Sequence, residues 1–461
     1  MSTVNRREFI KNTLAASAGA AMSPLFSIEK SGSPRNIKIT KVSSNFEREP
    51  LIRPFGFKGG YMKEIWQSAA YLGSDSGNHS IGLCSQSVLW SDAGVFASHS
   101  EAGGNSMMYA MTERALQMIN GEIFSSPVDL LDALYPEIWE YGKSITSNPL
   151  LRKTFALNAL VAVDNAAWLL YARENGISSF DEMIPGKYRK ALAMKHSGAA
   201  AIPLMAYAIP VSEIRDAIDQ GYFFMKVKIG QPGTQDEMLE KDKARISEIH
   251  KTIGDVRTIH TKNGKLPYYF DANGRYEKKD TLLKLIDHCR KIGAFDQIMI
   301  IEEPFPEEYE ADVSDIPVRL ASDESAHTEE DAVTRMKMGY KAIALKAIAK
   351  TLSMTLKIAS AAHERNVPCF CADLTVNPIL VEWNKNVAAR LDPFPGIGSI
   401  GLVESNGHQN YRNWETMMSY HPRKDAGWVH VNKGVYELGD EFYRTGGGIF
   451  DQSPHYEEMF A

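Results

Sequence analysis

Between residues 195 and 410 the chain repeats one small theme eight times, a short apolar run followed by a helical pattern. The runs fall at 202–208, 222–228, 268–271, 297–302, 318–323, 342–346, 367–371 and 397–404. Strands that alternate with helices pair in parallel, because a parallel neighbour needs a crossover long enough to hold a helix. Eight such units are the number that closes a (β/α)8 barrel. The expected fold class is therefore α/β, a (β/α)8-type TIM barrel over residues 195–410, with its chemistry at the C-terminal strand ends.

The first third of the chain is organised differently. Residues 36–42 alternate apolar and polar side chains and read as a strand. The stretch 73–106, rich in Gly, Ser and Asn, reads as a long loop region. Helical stripes follow, first with Met111, Ala115, Leu116 and Ile119, then over 128–139, then over 156–172 up to Gly176. A strand followed by helices points to a compact α+β domain at 36–180, capping the barrel. Residues 411–461, with Trp414, Trp428 and His430, form an extension expected to rejoin that domain in part.

The N-terminus stands apart. Asn5-Arg6-Arg7-Glu8-Phe9-Ile10-Lys11 precedes a short apolar, small-residue run from Leu14 to Ala21 and then Ser23-Pro24. Residues 1–30 resemble a bacterial twin-arginine export signal, which implies a periplasmic or exported protein. The run is far shorter than the roughly 20 apolar residues that span a bilayer, so no stable membrane insertion is expected. A formal net charge of -6, with no basic stripe, excludes a generic nucleic-acid binder. Four cysteines are too few for a disulfide framework, and Cys369-x-Cys371 has no second pair to make a zinc site.

The middle runs all end in charge. In Lys226-Val227-Lys228 the two lysines share one side of a strand. Neighbouring ammonium groups disfavour each other's protonation, so at least one pKa is expected to fall toward neutrality, where a lysine can act as a base. The next three runs end in Asp271, Glu302 and Asp323, each about one βα unit from the last. Singly, each acid could be a helix N-cap. Together at one mouth they repel one another unless a cation lies between them, and oxygen ligands suit Mg2+, or Mn2+ by substitution. The sixth run ends in Lys346, which in a closed barrel faces Lys228 across the mouth, so a carbon held between them could lose a proton to one face and gain one from the other.

Lys226-Val227-Lys228, Asp271-Ala272-Asn273, Glu302-Glu303-Pro304, Ser322-Asp323-Glu324-Ser325 and Lys346 stand in the order of the signature of the enolase superfamily. With no His on the seventh run, which ends Phe370-Cys371-Ala372-Asp373, the sequence resembles the two-lysine branch of muconate lactonizing enzymes and dipeptide epimerases. Pro50-Leu51-Ile52-Arg53-Pro54-Phe55 is similar to the strand before that family's mobile substrate loop. The resemblance implies a metal held by Asp271, Glu302 and Asp323 that binds a substrate carboxylate and stabilises an enolate. It implies Lys228 and Lys346 as acid/base catalysts, Lys226 as a catalytic residue that lowers the pKa of Lys228 and touches the carboxylate, and Asn273 and Glu303 orienting the ligands.

Where dipeptide epimerases carry Asp-x-Asp at the eighth strand, this chain has Glu404-Ser405-Asn406. Glu404 could hold a substrate cation, hydrogen-bond a hydroxylated acid, or be structural; Asp373 stands beside it as a further candidate. His327 is the one histidine near the site motifs. The expected activity is racemisation or epimerisation α to the carboxylate of a small acid, such as an amino-acid derivative or dipeptide. Dehydration or cycloisomerisation of hydroxy or sugar acids is the alternative, and a non-catalytic exported binding protein the third reading. A homo-oligomer is expected.

Overall fold

The computed structural model describes residues 34–57 and 60–461, so the export signal expected at 1–30 lies outside the described residues. Residues Arg35–Ala461 form one compact unit. Its first part is an antiparallel sheet of β1 (Ile37–Phe57), β2 (Gly60–Ser74), β3 (His79–Gln86) and β4 (Ile123–Phe124), in the order β3-β2-β1-β4. The helices Glu101–Ile119, Pro127–Thr146 and Lys153–Asn175 pack on it.

Lys153–Asn175 is long and apolar enough to cross a membrane by length and composition, yet 89% of its most apolar window is buried inside the protein. It is a core helix. Its C-terminus is closed by Gly176 in the left-handed conformation, φ 63°.

The expected loop at 73–106 is instead ordered structure. The chain turns after Ser74 into β3, then forms the helices Val88–Ser91 and Ala93–Ser98 before entering Glu101–Ile119. The polar residues that suggested a loop act as caps, with Asp92 accepting from Val95 N and Ser100 from Gly103 N. The glycines permit close approach. A Cβ on Gly82 would stand 2.0 Å from Ala162 O, so β3 lies directly against the backbone of the long core helix.

The second part is a curled parallel sheet. Its strands are β5 (Gly198–Ile202), β6 (Leu204–Met205), β7 (Met225–Lys228), β8 (Tyr268–Asp271), β9 (Ile298–Glu302), β10 (Leu320–Ser322), β11 (Ala342–Leu345), β12 (Cys369–Cys371) and β13 (Gly401–Glu404). Parallel pairing runs without a break from β6 through β7 to β13 and on to β5. Both ends of the series thus meet on the segment Gly198–Met205. The first strand begins earlier than the expected 202–208 because Gly-Ala-Ala-Ala-Ile carries little β signal, and Pro203, which has no N–H to donate, divides it in two.

Register places the charges together. Lys228 stands opposite Asp271, Asp271 opposite Glu302, and Glu302 opposite Ala321, one residue short of the fifth strand's last position. The C-terminal extension contributes β14 (Val431–Asn432) and β15 (Val435–Glu437), with β15 pairing antiparallel to β5. Its last residues contact the first part: His455 meets Glu47 at 2.8 Å and His79 meets Glu457 at 2.9 Å.

Candidate active site

All the residues singled out at the strand ends are buried, and all but Asp271, Glu302 and Glu303 line one cavity of about 40 Å3 at the C-terminal mouth of the curled sheet. Lys226, Lys228, Asn273, Asp323, Lys346, Asp373 and Glu404 line it, under a roof that includes Phe57 and Trp90 from the first part. Lys228 reaches it from β7, and Lys346 from the end of β11, four strands further round.

Lys226 is 3% exposed and its Nζ lies 2.9 Å from Asp271 Oδ2, 3.0 Å from Glu302 Oε1 and 3.2 Å from Glu404 Oε2. The fall expected of at least one of the two lysines is not found at Lys226. Burial does favour the neutral amine, but attraction to Asp271, Glu302 and Glu404 outweighs it and raises the ammonium well above its ordinary value. Lys228 Nζ donates to Asp271 Oδ2 and to Asn273 Oδ1, each at 2.5 Å, with the Phe57 ring 5.7 Å away. Lys346 lies 2.6 Å from Asp323 Oδ2 and 4.3 Å from the centre of the Trp90 ring. Burial would lower its pKa; Asp323 prevails and raises it.

The residues between these groups fix their geometry. Asn273 and Glu303 both adopt left-handed backbone conformations, φ 44° and 38°, in the turns that follow β8 and β9. Asn273 donates through Nδ2 to Glu324 and through its backbone N–H to Asp271 Oδ1, both at 3.0 Å. Glu303 Oε2 accepts from Asp323 N at 2.7 Å and from Ser325 N at 3.4 Å, which holds the fifth-strand loop against the fourth strand. Burial pushes Glu302 up to about 8 and Glu303 up to about 7.

Carboxylate oxygens of Glu302, Asp323 and Glu324 lie within 4.8 Å of one another, all buried. Neither oxygen of Asp323 has an aligned hydrogen-bond donor, although Lys346 and Lys350 face them at 2.6 and 3.5 Å. An all-oxygen, anionic and sheltered donor set fits a hard divalent cation. Of the three acids expected to converge, Glu302 and Asp323 do so with Glu324. Asp271 is turned to Lys226 and Lys228, and their attraction lowers its pKa against the opposing effect of burial.

Glu404 is already engaged, accepting from Lys226 and from Asp373 N through Oε2 and from Asn406 Nδ2 through Oε1, at 3.0 to 3.2 Å. Asp373 accepts backbone N–H groups of Leu374, Val376 and Asn406, while burial and Glu404 push its carboxyl up to about 7. His327 turns to Glu307 and does not line the cavity. All four cysteines are free and buried.

Sequence reasoning missed Lys350, whose Nζ donates to Asp323 O at 2.5 Å and Ala326 O at 3.0 Å. Its signal was the spacing from Lys346, one helical turn on. It also missed Glu324 as a partner of Glu302 and Asp323, signalled only by adjacency. Trp90, in the supposed loop, carried no signal.

This is a charged mouth on a curled parallel α/β sheet, roofed by a separate N-terminal sheet-and-helix layer. Residues 211–432 match the family described as Enolase C-terminal domain-like. Among solved structures, the chain is similar to a mandelate racemase/muconate lactonizing protein from Herpetosiphon aurantiacus, with 15% identity over 87% of this chain and 96% of that one and a TM-score of 0.62. It is also similar to a dipeptide epimerase from Enterococcus faecalis V583 complexed with Mg and the dipeptide L-Leu-L-Tyr, at 16% identity over 80% and 90% of the two chains and a TM-score of 0.57. The L-Ala-D/L-Glu epimerase from Bacillus subtilis gives 16% identity, 82% and 91% coverage and a TM-score of 0.56. No curated protein sequence matches the chain. At these identities the structural likeness establishes the fold, and with the family match it supports the enolase superfamily.

Proposed function

We propose that the chain is a divalent-metal-dependent racemase or epimerase acting α to a carboxylate, in the two-lysine branch of the enolase superfamily. Its framework is read as a (β/α)8 barrel, 195–410, capped by residues 36–180. The observation that carries the reading is the approach of Lys228 and Lys346 to one cavity from the second and sixth strand positions.

With the substrate's α-carbon between them, the neutral amine of one lysine takes the α-proton, breaking the C–H bond. The ammonium of the other then delivers a proton to the opposite face, and the two lysines end with exchanged protonation states. Glu302 and Asp323, which converge with Glu324, and Asp271 once released from Lys226 and Lys228 would hold Mg2+ or Mn2+, which would supply positive charge to stabilise the substrate carboxylate. Lys226 binds Asp271, Glu302 and Glu404 into one frame. Asn273 and Glu303 hold Lys228 and the Asp323 loop in place. The Trp90 and Phe57 rings lie beside the two lysines, 4.3 Å from Lys346 Nζ and 5.7 Å from Lys228 Nζ.

Dehydration or cycloisomerisation of a hydroxy or sugar acid is the second reading. The engagement of both Glu404 oxygens favours it, because no free carboxylate is left there for a substrate ammonium. The twin-arginine-like N-terminus makes this an exported, periplasmic enzyme, and a homo-oligomer is expected.

Incubation with dipeptides, N-acyl amino acids and hydroxy acids in D2O with Mg2+ tests the reading. The wild type is expected to wash deuterium into the α-position of recovered acid with loss of chirality, and Lys228→Ala and Lys346→Ala each to abolish racemisation, leaving at most exchange of one enantiomer. Release of water with formation of a keto acid would establish the second reading instead, and racemisation surviving in both variants would sink the two-lysine mechanism.

A further inference from the structure

Tyr269 stands two residues before Asp271 on β8, so the strand's period of two puts both side chains on the same inner face, the phenol one pleat deeper than the carboxylate. It is fully buried, and the proposed reaction makes no use of it. Aromatic neighbours fix its ring: the Phe224 ring centre lies 5.7 Å away, and Phe370 meets it edge-on at 5.5 Å. Its hydroxyl donates to Glu302 Oε2. Lys226, the residue opposite Tyr269 in the β7–β8 pairing, sets its Nζ 5.3 Å from the centre of the same ring and donates to Glu302 Oε1 at 3.0 Å. One carboxylate is thus gripped at both oxygens.

A phenylalanine would fill the same space without a buried polar atom to satisfy, so what the tyrosine adds is its hold on Oε2. That hold bears on the cation site, because Glu302 is one of the three acids whose oxygens lie within 4.8 Å of one another. A cation drawing on both Glu302 oxygens at once would have to share Oε2 with the phenol. Mg2+ takes about six oxygens at roughly 2.1 Å in a near-octahedral shell, whereas Ca2+ takes about six to eight at roughly 2.4 Å and accepts a carboxylate through both oxygens. We infer that Tyr269 is a positioning residue for the cation site, which limits Glu302 to one donating oxygen and so tilts the site towards Mg2+ and against Ca2+. This deepens the proposed function and rests on it for the presence of a divalent cation at Glu302 and Asp323.

Calorimetric titration of the protein with Mg2+ and, separately, with Ca2+ tests the inference without a substrate. Tyr269→Phe is expected to bind Mg2+ about tenfold more weakly, the usual effect of losing a group that orients a ligand, and Ca2+ no more weakly, so the ratio of the two affinities falls about tenfold. Phe224→Leu, which loosens the packing on the ring and keeps the phenol, is expected to hold the wild-type ratio. Metal-free melting curves check that both variants fold. A ratio unchanged in Tyr269→Phe would overturn the inference. So, by itself, would a ratio that falls in Phe224→Leu, since packing rather than the hydroxyl would then set it. Failure of the proposed function reads differently. A wild type that binds neither cation sinks the metal-dependent enzyme and the inference together, whereas one that binds Mg2+ with a ratio indifferent to Tyr269→Phe sinks the inference alone.

Discussion

Replacing Asp164 by asparagine is expected to change how the stability of this protein depends on pH. Asp164 lies on the core helix Lys153–Asn175, 4% exposed, and faces the start of the helix Leu352–Glu364, the first helix after Lys346. Ser353 donates to it twice, from Oγ at 2.5 Å and from N at 3.1 Å, and Trp168 Nε1 donates to Ser353 Oγ at 2.9 Å. Burial outweighs these hydrogen bonds and pushes the carboxyl up to about 7. In the unfolded chain it ionises near 3.9. Because the folded value is the higher one, the stability from this group is fully present below about pH 4 and is lost as pH rises to about 7. Three pH units at 1.36 kcal/mol each make the whole effect about 4 kcal/mol, of which about 3 kcal/mol falls between pH 4.5 and 8. For the unit Arg35–Ala461, at roughly 2 cal/mol/K per residue, that is a change in melting temperature of roughly 3 °C. Melting curves of wild type and Asp164→Asn at pH 4.5, 6 and 8 are the assay. The wild type is expected to lose ground to the variant by that amount as pH rises. Two lines running parallel across the range, or a wild type that gains on the variant, would refute a buried neutral carboxyl at this seam.

Gly82→Ala is expected to cost about 3 kcal/mol, because the new Cβ would meet the backbone of the core helix at Ala162 O and Ala166 N, neither of which can swing aside; an alanine variant as stable as wild type in thermal unfolding would show that β3 does not pack so closely. Lys385→Met is expected to cost about 3–5 kcal/mol by leaving the buried Glu382 without its 2.6 Å partner, and to free the extension at Trp428 O, which Lys385 also holds at 2.6 Å. Adding Glu382→Leu to that variant is expected to restore most of the loss, measured as the denaturation midpoint; no recovery would argue that the ion pair is not what ties the extension down.

The barrel-like series was readable because a strand has a period of two and its end is a fixed place. Tyr268–Asp271 falls where its run does, and seven of the eight runs end within one residue of the strand the structure forms. Where side chains carry little signal, the reading failed. Gly198–Ile202 is a strand because β13 and β15 flank it, not because alanines prefer one. Within 73–106, β3 lies against the core helix because Gly82 lets the two backbones touch, a property of the neighbour rather than of the segment. Sequence spacing likewise contains nothing that would bring Trp90 over Lys346.

The raised pKa of Lys226 has a more general cause. Two lysines on one strand repel only if nothing stands between them, and the nearest partners of Lys226 come from β8, β9 and β13, up to 178 residues away along the chain. In a buried mouth each ammonium exists as a charge because a carboxylate from another strand faces it, and each carboxylate because of an ammonium or a bound cation. Lys226 binds three acids and is held protonated, a brace rather than a base. Lys228 touches one acid and one amide, and Lys346 is held chiefly by one acid; both border the cavity, where a substrate carbon can reach them. The division of labour among three lysines thus follows from how many carboxylates each one faces, which pairing across strands decides.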